Sequence, residues 1–158
     1  MPLYSIRING DLMFLKLLPE QLVKVWDMVR YAIAETFMPR GSCTNEHLRY
    51  MLAALLSGKA QCWMGFTGTP ADKKFIGFMI TRIQVDQMLG DRVLIVDSIY
   101  AYQGVPEELM FRAWKVINEF AKKSGCSAVQ SLTDNERIVM LAKRQKFSTR
   151  TYLIKEVE

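Results

Sequence analysis

The chain has 158 residues, half of them hydrophobic and 23% charged, with a net charge of +5. That size and balance point to a single domain over residues 1–158 with one sizeable core, and exclude a disordered chain. No apolar run approaches the length of a membrane span, and the small positive excess leans toward an acidic partner such as a nucleotide cofactor, nucleic acid or an acidic protein.

The first element is a strand over Leu12–Leu18. Pro19 then opens a helix, because proline suits a first helical position. Leu22, Trp26, Val29, Ile33 and Phe37 recur at helical spacing and give that helix one buried face. Pro39 and Gly41 punctuate its end. Thr44 is a ready N-cap for a second helix, with Leu48, Met51, Leu52 and Leu55 as its apolar stripe and Gly58 as its stop. His47 falls in its first turn, off the stripe, which fits a solvated or locally bonded imidazole better than a catalytic one.

From Gln61 the period changes to two. A short strand begins there, a longer one runs over Lys74–Val85, and a third over Arg92–Tyr102. The turns between them are short, so an antiparallel meander is expected. Pro106 opens a helix carrying Leu109, Ala113, Trp114, Ile117, Phe120 and Ala121, which closes at Gly125 after Lys122 and Lys123. A strand in "CSAVQSLT" follows. Strand, helix and strand at this length imply a parallel pairing of Val93–Tyr102 with Ala128–Leu132. Thr133-x-x-Glu136 has capping-box spacing for a helix from Ile138 to about Gln145. Phe147, Thr149, Thr151 and Leu153 alternate as a last strand would. The sum is an α/β (α+β mixed) sheet, mostly antiparallel with one parallel pair and about four flanking helices. Trp63 and Trp114 read as core residues.

Cys43, Cys62 and Cys126 are far apart and odd in number, and His47 is the single histidine. No metal site is expected from them, and a reducing cytoplasm is the simplest compartment. Residues 1–18 have scattered charges and no apolar core before a small-residue cleavage site, so they do not read as a secretory signal. The densest basic run, Ala142–Arg150, holds one aromatic and no repeat. It speaks against nucleic acid as a partner.

The order of elements resembles that of the GNAT superfamily of N-acetyltransferases over nearly the whole chain. The nearest local likeness is "NERIVMLAKRQKF", Asn135–Phe147, where the family carries an asparagine, spaced small and aromatic residues, and a closing glycine-phenylalanine. "FAKKSGC", Phe120–Cys126, after a loop short of glycines, is also similar in style to small GNAT-like proteins encoded by bacteriophages. That likeness implies a host cytoplasm or a virion.

The family resemblance implies acetyl-CoA as cofactor and an amine acceptor on a small molecule or protein, with monomer and homodimer both open. It places the pantetheine arm against the strand end at Ile99, Tyr100 and Ala101. It places the pyrophosphate on the loop Gln103, Gly104 and Val105, and it adds Asn135 to the cofactor-binding residues. In such enzymes glycines let the backbone approach the phosphates, and the helix N-terminus adds positive potential. Here the glycine positions of the pattern fall on Pro106, Glu108 and Met110, its first position on Val105, its tyrosine on Ala142, and its closing glycine on Lys146. "VPEE" equally reads as an ordinary helix start with acids in the first turn.

Asp97 interrupts the apolar strand "LIVDSIY". Partly desolvated, it would be a general base; it also suits an open sheet face or an arginine neighbour. Tyr100 and Tyr102 would supply an acid or line an acceptor pocket, or simply pack at the strand end. Two functions follow. One is an acyl-CoA-dependent N-acetyltransferase with an eroded cofactor loop. The other is an inactive GNAT-like protein working through protein–protein contact.

Overall fold

The computed structural model describes residues 5–8, 12–36, 43–69, 72–101 and 104–157. Phe37, Tyr102 and Gln103 lie outside the described residues. Six strands form one sheet in chain order: β1 (Ser5–Ile8), β2 (Leu12–Lys16), β3 (Ala60–Thr69), β4 (Asp72–Val85), β5 (Arg92–Ala101) and β6 (Ala128–Ser131). Every neighbouring pair is antiparallel except β5 with β6, which is parallel. Four helices join them: α1 (Pro19–Thr36), α2 (Asn45–Leu56), α3 (Glu107–Lys123) and α4 (Glu136–Arg144).

The sheet carries an apolar cluster on each face. On one, Leu22, Val29, Ala32 and Ile33 of α1 and Leu48 and Leu55 of α2 meet Cys62, Met64, Phe78 and Ile80. On the other, Leu109, Ala113, Trp114, Val116, Ile117, Phe120 and Ala121 of α3 meet Phe14, Trp63, Met79, Leu94 and Val96. The period-two and period-3.6 patterns thus serve one sheet with helices on both sides. Trp63 is fully buried and Trp114 nearly so.

The helix ends follow their local chemistry. Thr44 Oγ1 accepts from His47 N, and His47 Nδ1 accepts from Thr44 N, so the one histidine completes a reciprocal cap. Gly58 and Gly125 follow their helices at positive φ, where glycine lacks the Cβ penalty.

Three expectations are corrected. β1 was not expected: it pairs with β2 across Ser5↔Leu15 to Ile8↔Leu12. α4 is capped by Asn135 and not by Thr133. Asn135 Oδ1 accepts from Arg137 N and Ile138 N, while Thr133 Oγ1 accepts from Asn135 N. Asparagine is the better N-cap, and using it starts the helix at Glu136, two residues earlier than the apolar pattern suggested. The strand expected from Phe147 onward does not form. Phe147 packs on Trp114 with ring centroids 5.1 Å apart, but Tyr152, Leu153, Ile154 and Val157 are exposed and unpaired in the sheet. Alternation alone makes no strand without a neighbouring edge to receive it.

Among the described residues no helix is long and apolar enough to cross a membrane, and no group of three or more His, Cys, Asp or Glu side chains gathers to hold a metal ion.

Candidate active site

The irregular part of the sheet is the far half of β5. Its antiparallel register with β4 slips between Ile80↔Ser98 and Thr81↔Val96, so Asp97 is an extra residue with no partner on β4. Such a bulge bends its strand and re-aims the side chains beyond it. Val96 points into the cluster beneath α3. Ser98 and Tyr100 stand opposite Ile80 and Phe78, which belong to the cluster beneath α1 and α2. Cross-strand partners share a face, so the bulge moves Ser98 and Tyr100 to the α1 side. The parallel pairing with β6 stops at the same place. Its last rung is Val96↔Ser131, and β5 runs on from Asp97 to Ala101 without a strand on that edge.

Asp97 sits a quarter exposed and accepts a 2.7 Å ion-paired hydrogen bond from Arg82 Nε. Arg82 is steadied by a second bond, from Nη1 to Gln84 Oε1 at 2.9 Å. Burial pushes the Asp97 carboxyl up from the usual aspartate range, and the Arg82 guanidinium draws it partly back. The arginine partner weighed from the sequence is therefore real, and the carboxyl is raised even so. Next to it, Ser98 Oγ is buried without a hydrogen-bond partner among the described residues. A buried hydroxyl left unpaired costs free energy, which makes it an anchoring point for a ligand or water.

Tyr100 meets Tyr31 of α1 edge-to-face, with centroids 6.2 Å apart at 87°. Burial, then Tyr31, then the Glu35 carboxylate raise the Tyr100 phenol, so it stays protonated at neutral pH. Tyr31, Glu35, Ser98 and Arg82 were not singled out from the sequence. Arg82 had a signal: like Asp97 it is a charge in the middle of an apolar strand, one hairpin away.

The start of α3 answers the question posed by its two glutamates. Pro106 takes the N-cap position and gives no side-chain cap. Glu107 pairs with Arg144 of α4, and Glu108 pairs with Arg112 one turn along its own helix. Both carboxylates are thus engaged by arginines, and neither caps the helix N–H groups. Arg137 Nη2 donates to the Val105 carbonyl at 3.2 Å, a second tie from α4 to this loop. Arg112, Arg137 and Arg144 therefore gather around a helix N-terminus, a combination that suits an anion. Gly104 has open space where a Cβ would stand. Asn135 spends its Oδ1 on capping α4, which leaves its NH₂ as the part able to donate to a ligand.

Between these two regions lies an apolar cleft lined by Ile99, Tyr100, Ala101, Val105, Leu109 and Met110, among others. It holds about 50 Å³ of free room. Roughly 10–15 Å³ of such space takes one water, so a small acyl group fits and anything bulky must remain outside. Gly77 on β4 keeps the cleft's floor narrow. A Cβ there would stand 2.1 Å from Tyr100 O. Gly77→Ala is therefore expected to force β4 and β5 apart at the Gly77↔Ala101 rung and to cost about 1–3 kcal/mol in urea unfolding. An unchanged midpoint would mean the strands separate freely there.

No family model matches the sequence, and neither does any curated protein. Solved structures do match. The chain is similar to a glucosamine-6-phosphate N-acetyltransferase from Arabidopsis thaliana, with TM-score 0.63, 13% identity, and 92% of this chain and 97% of that one covered. It is similar to an aminoglycoside acetyltransferase from an uncultured soil metagenomic sample, with TM-score 0.64, 14% identity, and 96% and 98% covered. A ribosomal-protein-alanine N-acetyltransferase from Brucella melitensis biovar Abortus 2308 gives TM-score 0.60, 14% identity, and 92% and 98% covered. Identities this low speak to architecture alone. The bulged, half-paired β5 beside the parallel β6, with helices on both faces, is the GNAT fold.

Proposed function

We propose that the chain is an acyl-CoA-dependent N-acyltransferase that acetylates an amine of a small molecule or protein. The observation that carries this reading is the edge of β5 beyond β6. From Asp97 to Ala101 the strand has no strand partner on the β6 side among the described residues. An extended amide-bearing arm fits such an edge as a further strand would. The residues present suit the rest of coenzyme A. The helix N–H groups beyond Pro106 have no side-chain cap, and three arginines surround them. Backbone donors need no particular side chain, so the missing glycines narrow the approach without abolishing it.

Bound acetyl-CoA would supply the activated acetyl group. Asp97 takes the proton from the acceptor ammonium, directly or through a water held by Ser98 Oγ, because burial raises its carboxyl toward the range of a base while Arg82 holds it in place. Tyr100 Oη, kept protonated, donates a proton to the leaving sulfur. Ile99, Tyr100 and Ala101 offer backbone groups to the arm. Gly104 and Val105 line the approach of the phosphates, and Asn135 contributes its NH₂.

Calorimetric titration with acetyl-CoA tests the reading. Binding at micromolar concentration is expected, weakened about thirtyfold by Arg137→Ala combined with Arg144→Ala, since charge-assisted phosphate contacts contribute about 1 kcal/mol or more each at low salt. No heat at millimolar ligand would overturn it. The fold would then serve protein–protein contact, in a phage particle or elsewhere.

A further inference from the structure

We propose that the α1 side of the β5 end seats an amine that carries a second positive charge, with Glu35 and the Tyr31–Tyr100 pair holding that second charge. The inference deepens the acyltransferase reading and rests on it for the reacting amine, but the seat itself stands on separate residues.

Tyr31 and Glu35 are four residues apart on α1, so they lie one turn apart on one helix face. Tyr31 reaches across to Tyr100 with ring centroids 6.2 Å apart at 87°. Tyr100 in turn lies close enough to Glu35 for that carboxylate to act on its phenol. The three side chains therefore form one group, two aromatic rings and one carboxylate. Tyr31 is 55% exposed, and Glu35 is exposed as well, so the group opens to solvent.

Glu35 belongs with the described acids that no arginine compensates. Asp27, Asp97, Glu107 and Glu108 each have an arginine within ion-pair distance. Glu35 makes no ion pair among the described residues, in a chain whose net charge is +5. A carboxylate left uncompensated beside two aromatic rings is the chemistry that holds an organic cation, through charge and through the ring faces.

A second observation points the same way. Ser98, two residues before Tyr100 and on the same sheet face, is the buried side chain whose hydroxyl has no partner among the described residues. Asp97 sits beside it. The face thus offers a cation seat at its rim and, deeper in, an unsatisfied hydroxyl and a carboxylate for the amine that reacts. A neutral amine, or a monoamine with no second charge, would leave Glu35 unused.

Calorimetry with spermidine and n-butylamine, on the protein alone and again with coenzyme A added, tests this. Spermidine is expected to bind at least fivefold tighter than n-butylamine at low salt, and the preference should shrink as salt rises. Glu35→Gln should erase most of that preference with melting temperature unchanged, and Tyr31→Ala should reduce it; acetyl-CoA affinity is unchanged in both. Equal binding of the two amines, no spermidine binding at millimolar concentration, or a preference that survives Glu35→Gln would each overturn the proposal. Acetyl-CoA binding is read separately. If it fails while the spermidine preference and its Glu35 dependence remain, the seat stands and the acyltransferase reading falls.

Discussion

Trp63→Ala is expected to lower stability by about 3–5 kcal/mol, the range for removing a fully buried tryptophan. Trp63 is wholly buried at the centre of the α3-side cluster. Its ring stacks on Phe14 at 5.7 Å and meets Phe120 edge-on at 5.2 Å. Its Nε1 donates to Thr81 Oγ1 at 2.9 Å, and that hydroxyl donates onward to Gln61 Oε1. Removing the indole opens a cavity between β3 and α3 and frees one lone pair of Thr81, which keeps its bond to Gln61. The cavity is the larger cost. At roughly 2–4 °C per kcal/mol for a chain of this size, the melting temperature falls by about 6–20 °C. Trp63→Phe separates the two terms: it keeps most of the volume, loses the hydrogen bond, and should cost about 1–2 kcal/mol. Urea unfolding reads both. A Trp63→Ala variant within 1 kcal/mol of the parent would mean the helix collapses into the space and that the two faces of the sheet are less tightly specified than their packing suggests.

The fold was legible because its elements are local. Pro19 and Thr44 start helices by chemistry confined to a few residues. α3 buries one stripe along its whole length, and the β3–β4–β5 meander alternates between short turns. The right-handed crossover rule then made β5 and β6 parallel neighbours. What failed was decided by competing partners, some near in the chain and some distant. The Phe147–Val157 segment alternates like a strand, but pairing depends on an edge elsewhere in the chain. The α4 cap fell to Asn135 because Thr133 already binds Asn135 N. In the site, Asp97 was visible as a charge in an apolar strand, whereas its bulge is a register property of two strands and no local pattern encodes it. Tyr31 and Glu35 lie outside the apolar stripe of Leu22, Trp26, Val29 and Ile33, so helical spacing does not mark them. Only the packing of α1 against the end of β5 makes them part of a site. The glutamates of "VPEE" read as the acids of an ordinary helix start, and the structure adds Arg112 and Arg144 as their partners.

Asp97→Asn separates chemistry from folding most sharply. If Asp97 is the general base, kcat/KM for amine acetylation falls by about 10²–10⁴ with acetyl-CoA affinity unchanged. Stability moves the other way. Burial raises the folded-state carboxyl above its unfolded value despite Arg82. Whatever Asp97 contributes to folding is therefore fully present below the ordinary aspartate range and is lost as pH rises through the raised folded value. An asparagine cannot ionise, so the melting temperature of Asp97→Asn relative to the parent should rise between about pH 3 and pH 7. Arg82→Gln is the companion variant. Without the guanidinium nothing draws the carboxyl back down, so the acid limb of the kcat/KM profile should move to higher pH while the plateau stays within about tenfold of the parent. Retention of more than a tenth of the activity by Asp97→Asn would remove the carboxylate from the chemistry. An acid limb that ignores Arg82→Gln would show that the titrating group is another one. Loss of activity together with gain in stability is the pattern of a carboxylate kept where function needs it and the fold does not.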